Sequence, residues 1–194
     1  KEAFRLINTS KHIGKIVINI EHQEDLEIHK NSEFTIDEKA TYLLTGGLGG
    51  LGLQFTKMLV EQGAKNIILL GRKAPSSEIE STLENYRNVG VNIITYQADV
   101  SNKRHLQIVF NNIPVENPLK GVFHLAGLLD DASIINLTED KFYNVLLPKV
   151  FGALYLHELT KNIDLDYFVL FSSSAVLFAS PGQSAYVAAN AYLD

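Results

Sequence analysis

The stretch that decides the fold is Thr45-Gly46-Gly47-Leu48-Gly49-Gly50-Leu51-Gly52. An apolar run, residues 40–44, comes directly before it and predicts a buried strand. Leu51, Phe55 and Leu59 follow at helical spacing, which predicts an amphipathic helix with these side chains on one face. The glycines therefore lie in a turn from a strand to a helix.

Glycine suits such a turn because it adopts positive φ angles and lets backbone N–H groups approach a ligand closely. The start of the helix adds unpaired N–H donors and the positive end of the helix dipole, which favour a pyrophosphate. The glycines fit two spacings equally well, G-x-G-x-x-G beginning at Gly47 and T-G-x-x-x-G-x-G beginning at Thr45. The turn predicts a dinucleotide site, and a tight turn without a ligand is the alternative.

The composition excludes several classes of function. The 194 residues are 46% hydrophobic and 20% charged, which is ordinary for a soluble globular protein. The net charge of −5 and the lack of a basic stripe argue against a nucleic-acid surface. Because there is no cysteine, a disulfide framework, a Cys-ligated metal and a thiol nucleophile are excluded, and we predict no metal site. The first residues are not a signal peptide and no apolar run approaches about 20 residues, so we expect a cytosolic protein without a membrane segment.

From residue 40 the chain alternates strands and helices. Five apolar runs predict strands at residues 40–45, 66–70, 92–96, 121–124 and 167–171. Ser101 and Thr138 are predicted N-caps, and the second of them begins a long helix from about 139 to 161. A last helix is predicted from about Ser184. This alternation predicts an α/β fold with a doubly wound, Rossmann-like parallel sheet, whose ligands bind beyond the carboxyl ends of the strands.

The residue that follows the second strand predicts the cofactor. About 20 residues beyond the glycines, an acidic side chain would hold the ribose 2′-hydroxyl of NAD. Arg72 stands there, Lys73 is next to it, and no acid occurs between Ile67 and Pro75. Because a guanidinium binds a phosphate well, we predict NADPH; an exposed loop charge is the alternative. Asp99, after the third strand, can accept from the adenine amine or cap the turn before Ser101.

Four polar residues form a catalytic pattern. Ser173 follows the fifth strand, and Tyr186 comes thirteen residues later, near the start of the last helix. Asn190 lies four residues beyond Tyr186 and so shares its helix face. Lys149 lies in the long helix, 37 residues before Tyr186. Taken singly, these residues are equally consistent with a tyrosine at the edge of the core, a loop serine, and a lysine and an asparagine on helix surfaces.

Residues 40–194 resemble the ketoreductase domain of a modular polyketide synthase, a member of the short-chain dehydrogenase/reductase superfamily. The resemblance is carried by Thr45–Gly52, Leu69-Leu70-Gly71-Arg72, Ala98-Asp99-Val100, Phe123-His124-Leu125-Ala126-Gly127, Pro148-Lys149-Val150, Leu156-His157-Glu158-Leu159, and Phe171-Ser172-Ser173 through Pro181-Gly182-Gln183 to Tyr186, Asn190 and Leu193-Asp194. Most of the superfamily carries Tyr-x-x-x-Lys. Here Asn190 takes the lysine position and Lys149 lies on the earlier helix, an exchange typical of polyketide and animal-type fatty acid synthase ketoreductases.

The resemblance implies a role for each residue. Tyr186 would protonate the ketone oxygen, and the Lys149 ammonium would lower the pKa of this phenol. Ser173 would donate a second hydrogen bond to the same oxygen, and Asn190 would fix Lys149 or a proton-relay water. The implied cofactor-binding residues come from the glycine turn and from the ends of the next three strands: Thr45, Gly46, Leu48, Gly49, Gly50, Leu51, Gly52, Arg72, Asp99, Val100, Ala126 and Gly127.

A loop after the fourth strand carries Leu129-Asp130-Asp131. It resembles the motif of B-type ketoreductases, which form the D-configured β-hydroxyl, and Phe178 is not the tryptophan associated with the opposite type. These three residues are therefore expected to control the stereochemistry. An acidic surface loop before the helix is the alternative.

The resemblance also implies a domain organisation and partners. Residues 1–20, with a helical fragment and a strand, resemble the carboxyl end of an enoylreductase domain; residues 21–39 would be a linker, and 40–194 a ketoreductase domain that is incomplete at its C-terminus. The implied substrate is a β-ketoacyl thioester on the phosphopantetheine arm of an acyl carrier protein, with the enoylreductase and other synthase domains as neighbours. A stand-alone reductase or dehydrogenase for a free ketone or alcohol, and a non-catalytic NADPH-binding scaffold, are the alternatives.

Overall fold

The sheet consists of five parallel strands in the order β3-β2-β1-β4-β5. The computed structural model describes residues 34–178 and 181–194, and the five predicted strands are all present. They are β1 (Thr41–Thr45), β2 (Asn66–Gly71), β3 (Asn92–Gln97), β4 (Leu119–His124) and β5 (Tyr167–Leu170). The strand order reverses at β1, between β2 and β4, and such a switch point is where ligands bind in this class of sheet. The predicted Rossmann-like fold is confirmed.

Six α-helices connect and follow these strands within the described residues. They are α1 (Gly50–Glu61), α2 (Ser77–Asn88), α3 (Lys103–Asn111), α4 (Glu139–Leu146), α5 (Gly152–Thr160) and α6 (Ser184–Ala191). The Thr138 hydroxyl caps α4 by accepting from Lys141 N–H, as predicted. The prediction for Ser101 was wrong, because the Asn102 side chain caps α3 and Ser101 instead bonds Asp99.

The central strands β1, β2 and β4 are buried on both faces, which is why they are mostly apolar rather than alternating. One face packs against α1 and α2 through Tyr42, Leu44, Leu59, Ile67, Leu69, Leu83 and Phe123. The opposite face packs against α3 and α5 through Leu43, Ile68, Leu70, Leu106, Val122 and Leu156. The core therefore holds the strand ends rigidly on both sides.

The long helix predicted over residues 139–161 is interrupted. A π-helical turn, Leu147–Phe151, separates α4 from α5, and in it Gly152 N–H donates to the carbonyl of Leu147. Pro148 explains the change, because it has no N–H to donate and its ring clashes with a carbonyl four residues earlier in a regular α-helix. Such turns are frequent at functional sites, and this one carries Lys149.

The residues before β1 are described only in part. The helical fragment and the strand expected in residues 1–20 lie outside the described residues, as does the expected linker up to residue 33. Thr35 exchanges two hydrogen bonds with the Tyr167 hydroxyl, and Asp37 N–H donates to the Tyr42 hydroxyl, so residues 35–39 lie against the sheet. No helix in the described part of the chain has the length and hydropathy needed to cross a bilayer.

The turn between β1 and α1 allows a stability test on two glycines. A Cβ on Gly52 would lie 2.5 Å from the carbonyl oxygen of Gly46, whereas one on Gly50 would meet nothing within 4 Å. We expect Gly52→Ala to lower the free energy of unfolding by about 2 kcal/mol or more, because backbone would have to move. Gly50→Ala should raise it by about 0.4–1 kcal/mol by restricting the unfolded chain.

Chemical denaturation of the two variants beside the wild type measures this difference. Equal stability of the two variants would contradict the close packing at Gly52.

Candidate active site

The glycine turn begins where β1 ends and closes against β4. Gly46 has a φ of +66°, and a Cβ there would lie 2.9 Å from the backbone nitrogen of Ala126. Gly52 is enclosed by Gly46 and Gly47, while Gly50 faces open space. Gly47, which belongs to the other spacing, is also closely packed, since a Cβ there would lie 3.0 Å from the carbonyl oxygen of Leu44, so these contacts fit both spacings.

A cavity of about 470 Å³ lies beyond the carboxyl ends of the strands. Eleven of the twelve expected cofactor-binding residues line it: Thr45, Gly46, Gly49, Gly50, Leu51, Gly52, Arg72, Asp99, Val100, Ala126 and Gly127. The exception is Leu48, which packs against Gly71 and the core. Sequence reasoning missed Ser101, Asn144 and Pro148, which line the cavity but belong to no phosphate-binding pattern.

The cavity fits a nucleotide at its α1 end. The first intrahelical bond of α1 runs from Leu53 N–H to the carbonyl of Gly49, so the N–H groups of residues 50–52 precede it. These residues line the cavity, and the missing Cβ of Gly50 leaves room for a phosphate beside them. Leu51, which was expected at the cofactor site, lines the cavity and is 54% exposed, although helical spacing places it on one face with Phe55 and Leu59.

The opposite end of the cavity is lined by Arg72 and Asp99. The carbonyl of Arg72 accepts a hydrogen bond of 3.2 Å from Gln97, which fixes the backbone there while the side chain stays exposed. One oxygen of Asp99 accepts from the N–H and the hydroxyl of Ser101, at 2.8 and 2.6 Å. Asp99 therefore caps this turn and also lines the cavity.

Lys149 and Tyr186 come together although they lie on different helices. The Nζ atom of Lys149 is 5.8 Å from the centroid of the Tyr186 ring. Both side chains line a second cavity of about 240 Å³, together with Gly127 and Leu129. Gly127 also lines the nucleotide cavity, so the lysine and the tyrosine lie next to the expected cofactor site.

Lys149 is buried, with 4% of its surface exposed. Its Nζ donates a 2.6 Å hydrogen bond to the carbonyl of Phe171, just after β5. Burial lowers the pKa of the amine, because an ammonium loses hydration there. Gly127 leaves space for the lysine stem, since a Cβ at that position would lie 3.1 Å from Cε of Lys149.

Asn190 and Ser173 flank this pair. The Asn190 amide donates to the carbonyl of Tyr186 at 2.7 Å, and its buried Oδ1 has no hydrogen-bond partner among the described residues. The Ser173 hydroxyl oxygen accepts from Ala175 N–H at 3.2 Å, which leaves its hydrogen free to be donated. Ser173 follows Phe171 by two residues, but it does not line either of the two cavities.

The loop with Leu129-Asp130-Asp131 is bonded to the helices on either side. Asp130 accepts from Lys141 of α4 at 2.6 Å, and this bond is the main cause of the lowered pKa of its carboxyl group. Asp131 accepts from Gln183, directly before α6, at 3.0 Å. Leu129 is the member of the three that lines the second cavity.

The sequence analysis missed His124, the last residue of β4. Its side chain is completely buried, with Nδ1 2.6 Å from the Thr45 hydroxyl and Nε2 3.3 Å from the carbonyl oxygen of Lys149. Burial lowers the pKa of the imidazole to about 4. The sequence did contain a signal, because His124 ends an apolar strand that was expected to be buried on both faces. A histidine buried there needs polar partners for its imidazole.

The family model for the KR domain matches residues 40–194. Over 195 residues the chain is 33% identical to a mycocerosic acid synthase-like polyketide synthase of Mycobacterium tuberculosis, covering 99% of the chain and 9% of that protein. It is 37% identical to polyketide synthase GfsB of Streptomyces halstedii, covering all of the chain and 3% of that protein. A solved A1-type ketoreductase superposes with a TM-score of 0.76 at 37% identity, covering 79% of this chain and 33% of that one.

The fold and the arrangement of the site are of the short-chain dehydrogenase/reductase type. The chain belongs to the KR domain family, the ketoreductase domains of polyketide synthases. It spans less than a tenth of the length of these two relatives, which are large synthases.

The buried His124 predicts a pH dependence of stability. The pKa of the imidazole is about 4 in the folded protein and ordinarily near 6.5, so between these values the unfolded chain binds a proton that the folded protein does not. The free energy of unfolding should therefore fall as the pH drops from 6.5 towards 4, by about 1.4 kcal/mol per pH unit from this group. The charged group that acts on the ring is the Lys149 ammonium, which also disfavours the imidazolium.

Denaturant titrations at several pH values measure the slope, which should be smaller in His124→Gln. The same substitution at the exposed His157 controls for the loss of a histidine from the chain. A slope that is identical in His124→Gln and the wild type would contradict the assignment.

Proposed function

We propose that the chain reduces a β-ketoacyl thioester, carried on the phosphopantetheine arm of an acyl carrier protein, to the β-hydroxyacyl thioester, with NADPH as the reductant and in the cytosol. The observation that carries this proposal is the Lys149 ammonium over the Tyr186 ring, next to a cavity lined by the glycine turn. Membership of the KR family supports the reaction class.

The residues of the chain supply the proton and its control. When bound, the reduced nicotinamide supplies a hydride to the ketone carbon, and negative charge grows on the ketone oxygen. Tyr186 donates its phenolic proton to that oxygen, and Ser173 donates a second hydrogen bond to it. The Lys149 ammonium lies beside the ring, where its charge would offset the negative charge that the proton transfer leaves behind. The unpaired Oδ1 of Asn190 is suited to hold a water that returns a proton to this site.

The choice of NADPH is based on Arg72. Its side chain is exposed at the nucleotide cavity, directly after β2, with Lys73 beside it and no acidic residue nearby in sequence. A guanidinium pairs with a 2′-phosphate through two parallel hydrogen bonds, and a ribose hydroxyl would leave it without that partner.

The loop with Leu129-Asp130-Asp131 leads us to propose a D-configured β-hydroxyl product. The carboxylates of Asp130 and Asp131 bond Lys141 and Gln183, which holds the loop between α4 and α6 and places Leu129 at the second cavity. This part of the proposal rests on the loop alone, since the similar solved structures include one described as A1-type.

The domain organisation is also part of the proposal. We assign residues 1–20 to the end of an enoylreductase domain, 21–39 to a linker, and 40–194 to the ketoreductase. The relatives support this assignment, because they match nearly the whole chain within large synthases. A stand-alone reductase remains the second enzyme hypothesis, and a substrate comparison between a free β-ketone and the carrier-bound thioester separates the two.

Tyr186→Phe tests the reaction. Without the phenolic proton we expect kcat/KM for a β-ketoacyl thioester to fall about 100-fold or more, as general acids typically contribute that much. NADPH binding, followed by its fluorescence, should be unchanged. Tyr192→Phe, at an exposed tyrosine just after α6, is the matched control and should keep wild-type activity. If Tyr186→Phe turned over as fast as the active wild type, Tyr186 would not be the acid. If neither protein showed turnover, the result would favour the non-catalytic scaffold.

Arg72→Ala tests the proposed preference for NADPH over NADH. We expect KM for NADPH to rise about tenfold, the equivalent of one lost charge-assisted hydrogen bond, with little change in KM for NADH. Lys57→Ala, which removes an exposed charge from α1, is the control for general electrostatics. If the KM values for both nucleotides changed equally, Arg72 would not read the 2′-phosphate.

A further inference from the structure

We propose that His124 is a positioning residue, which holds Lys149 at a fixed position relative to the nucleotide-binding turn. The inference rests on the proposed function, because it takes Lys149 as the group that acts on Tyr186. His124 is completely buried and lines neither of the two cavities, so it does not touch substrate or cofactor itself.

The partners of the imidazole determine which of its nitrogens carries the proton. The carbonyl oxygen of Lys149, 3.3 Å from Nε2, can only accept, so Nε2–H is the donor. Nδ1 of the neutral ring then accepts from the Thr45 hydroxyl at 2.6 Å. The Thr45 oxygen in turn accepts from Ala126 N–H at 3.2 Å. A directed chain therefore runs from Ala126 through Thr45 and His124 to Lys149, and each donor in it has an acceptor.

A second path joins the same two residues through the end of β5. The carbonyl oxygen of His124 accepts from Phe171 N–H at 3.2 Å. The carbonyl oxygen of Phe171 accepts from Nζ of Lys149 at 2.6 Å. His124 thus holds the lysine at both ends, its main chain through the imidazole and its ammonium through Phe171. The two paths form a closed ring of hydrogen bonds through His124, Lys149 and Phe171.

The packing around the ring supports a specific need for the imidazole. Gly152 begins α5 directly after the π-helical turn, and a Cβ there would lie 2.9 Å from Cε1 of His124. It would also lie 3.1 Å from the methyl groups of Val100. Glycine costs about 1 kcal/mol relative to alanine inside a helix, so its use here is explained by the space that the ring occupies.

The other end of the chain reaches the cofactor turn. Thr45 is directly followed by Gly46, whose positive φ places it against the backbone of Ala126. Thr45 and His124 lie opposite each other in the register of β1 and β4, at the point where the strand order reverses. His124 therefore ties the lysine to the same strand end that starts the phosphate-binding turn.

Two substitutions separate the two hydrogen bonds that the imidazole of His124 makes. In H124N the side-chain oxygen lies as many bonds from Cα as Nδ1, so the acceptor for Thr45 is kept and the donor to Lys149 is lost. In H124Q the side-chain nitrogen lies as many bonds from Cα as Nε2, so the donor to the Lys149 carbonyl is kept. The two variants differ by one methylene group and test the same buried site.

We expect H124N to lower kcat about 10- to 100-fold in the full-length protein, which corresponds to one unsatisfied buried hydrogen bond. KM for NADPH should change less than about threefold, because the turn keeps its Thr45 acceptor. H124Q should retain kcat within about fivefold of the wild type. Equal losses of kcat in the two variants, or wild-type kcat in H124N, would overturn the proposal.

Hydrogen exchange followed by mass spectrometry gives a readout that needs neither substrate nor cofactor. In H124N the amides of the π-helical turn, Leu147–Phe151, should exchange about tenfold faster, while those of α2 keep their wild-type rates. In H124Q both segments should exchange as in the wild type. Unchanged exchange at the π-helical turn, or equal acceleration in α2, would contradict a local role for His124.

Gly152→Ala is the second variant, for the case in which H124N does not fold. Its added methyl group should displace the ring and accelerate exchange at the π-helical turn, and no acceleration there would overturn the proposal. The exchange result is independent of the reaction. If Tyr186→Phe keeps full turnover, the proposed function fails while the exchange data still decide whether His124 holds Lys149.

Discussion

The arrangement of the site depends on one buried ammonium group. Burial of an unpaired cation is strongly unfavourable, so Lys149 can remain inside the protein only because the Phe171 carbonyl accepts from it at 2.6 Å and an aromatic ring lies beside it. The π-helical turn directs the side chain inward, and Gly127 leaves room for its stem.

The reversal of strand order at β1 brings the two halves of the site together. The cofactor turn follows β1, whereas His124 and Gly127 belong to β4 and the loop beyond it. Because β1 and β4 are adjacent parallel strands, their carboxyl ends meet at one edge of the sheet, and the nucleotide cavity and the smaller cavity share Gly127. The position of the site is thus a consequence of topology before any side chain is considered.

Local patterns in the sequence predicted most of the fold. The apolar runs defined the strands, and the glycine turn defined the connection from β1 to α1. Each of these features depends on residues that are close in sequence. The π-helical turn was missed because helical periodicity continues through Pro148. The same periodicity groups Leu51 with Phe55 and Leu59, and only the glycine motif marks it as a residue at the cavity. Asn102 replaced Ser101 as the cap of α3 because the neighbouring Asp99 binds the serine hydroxyl.

The candidate site was predictable only as far as its residues formed a known pattern. The spacing of Tyr186, Asn190 and Lys149 carries a resemblance, and eleven of the expected cofactor residues do line the cavity. His124 and Thr45 meet across two strands that are 79 positions apart in the chain, and no spacing rule connects them. Polar contacts of this kind follow from strand order and register, which a single sequence specifies only through the whole fold.

The exchange of lysine and asparagine changes what the site requires of the rest of the protein. A lysine four residues beyond a tyrosine would be placed beside it by the geometry of a single helix. In this chain that position is Asn190, whose amide bonds the Tyr186 carbonyl, so the cation must come from another helix. Its placement then depends on β4, on β5 and on the turn at Pro148, elements that share no sequence proximity with α6. A site of this design gains a cation that can be held rigidly on several sides, and it becomes sensitive to substitutions at buried residues that never contact the substrate.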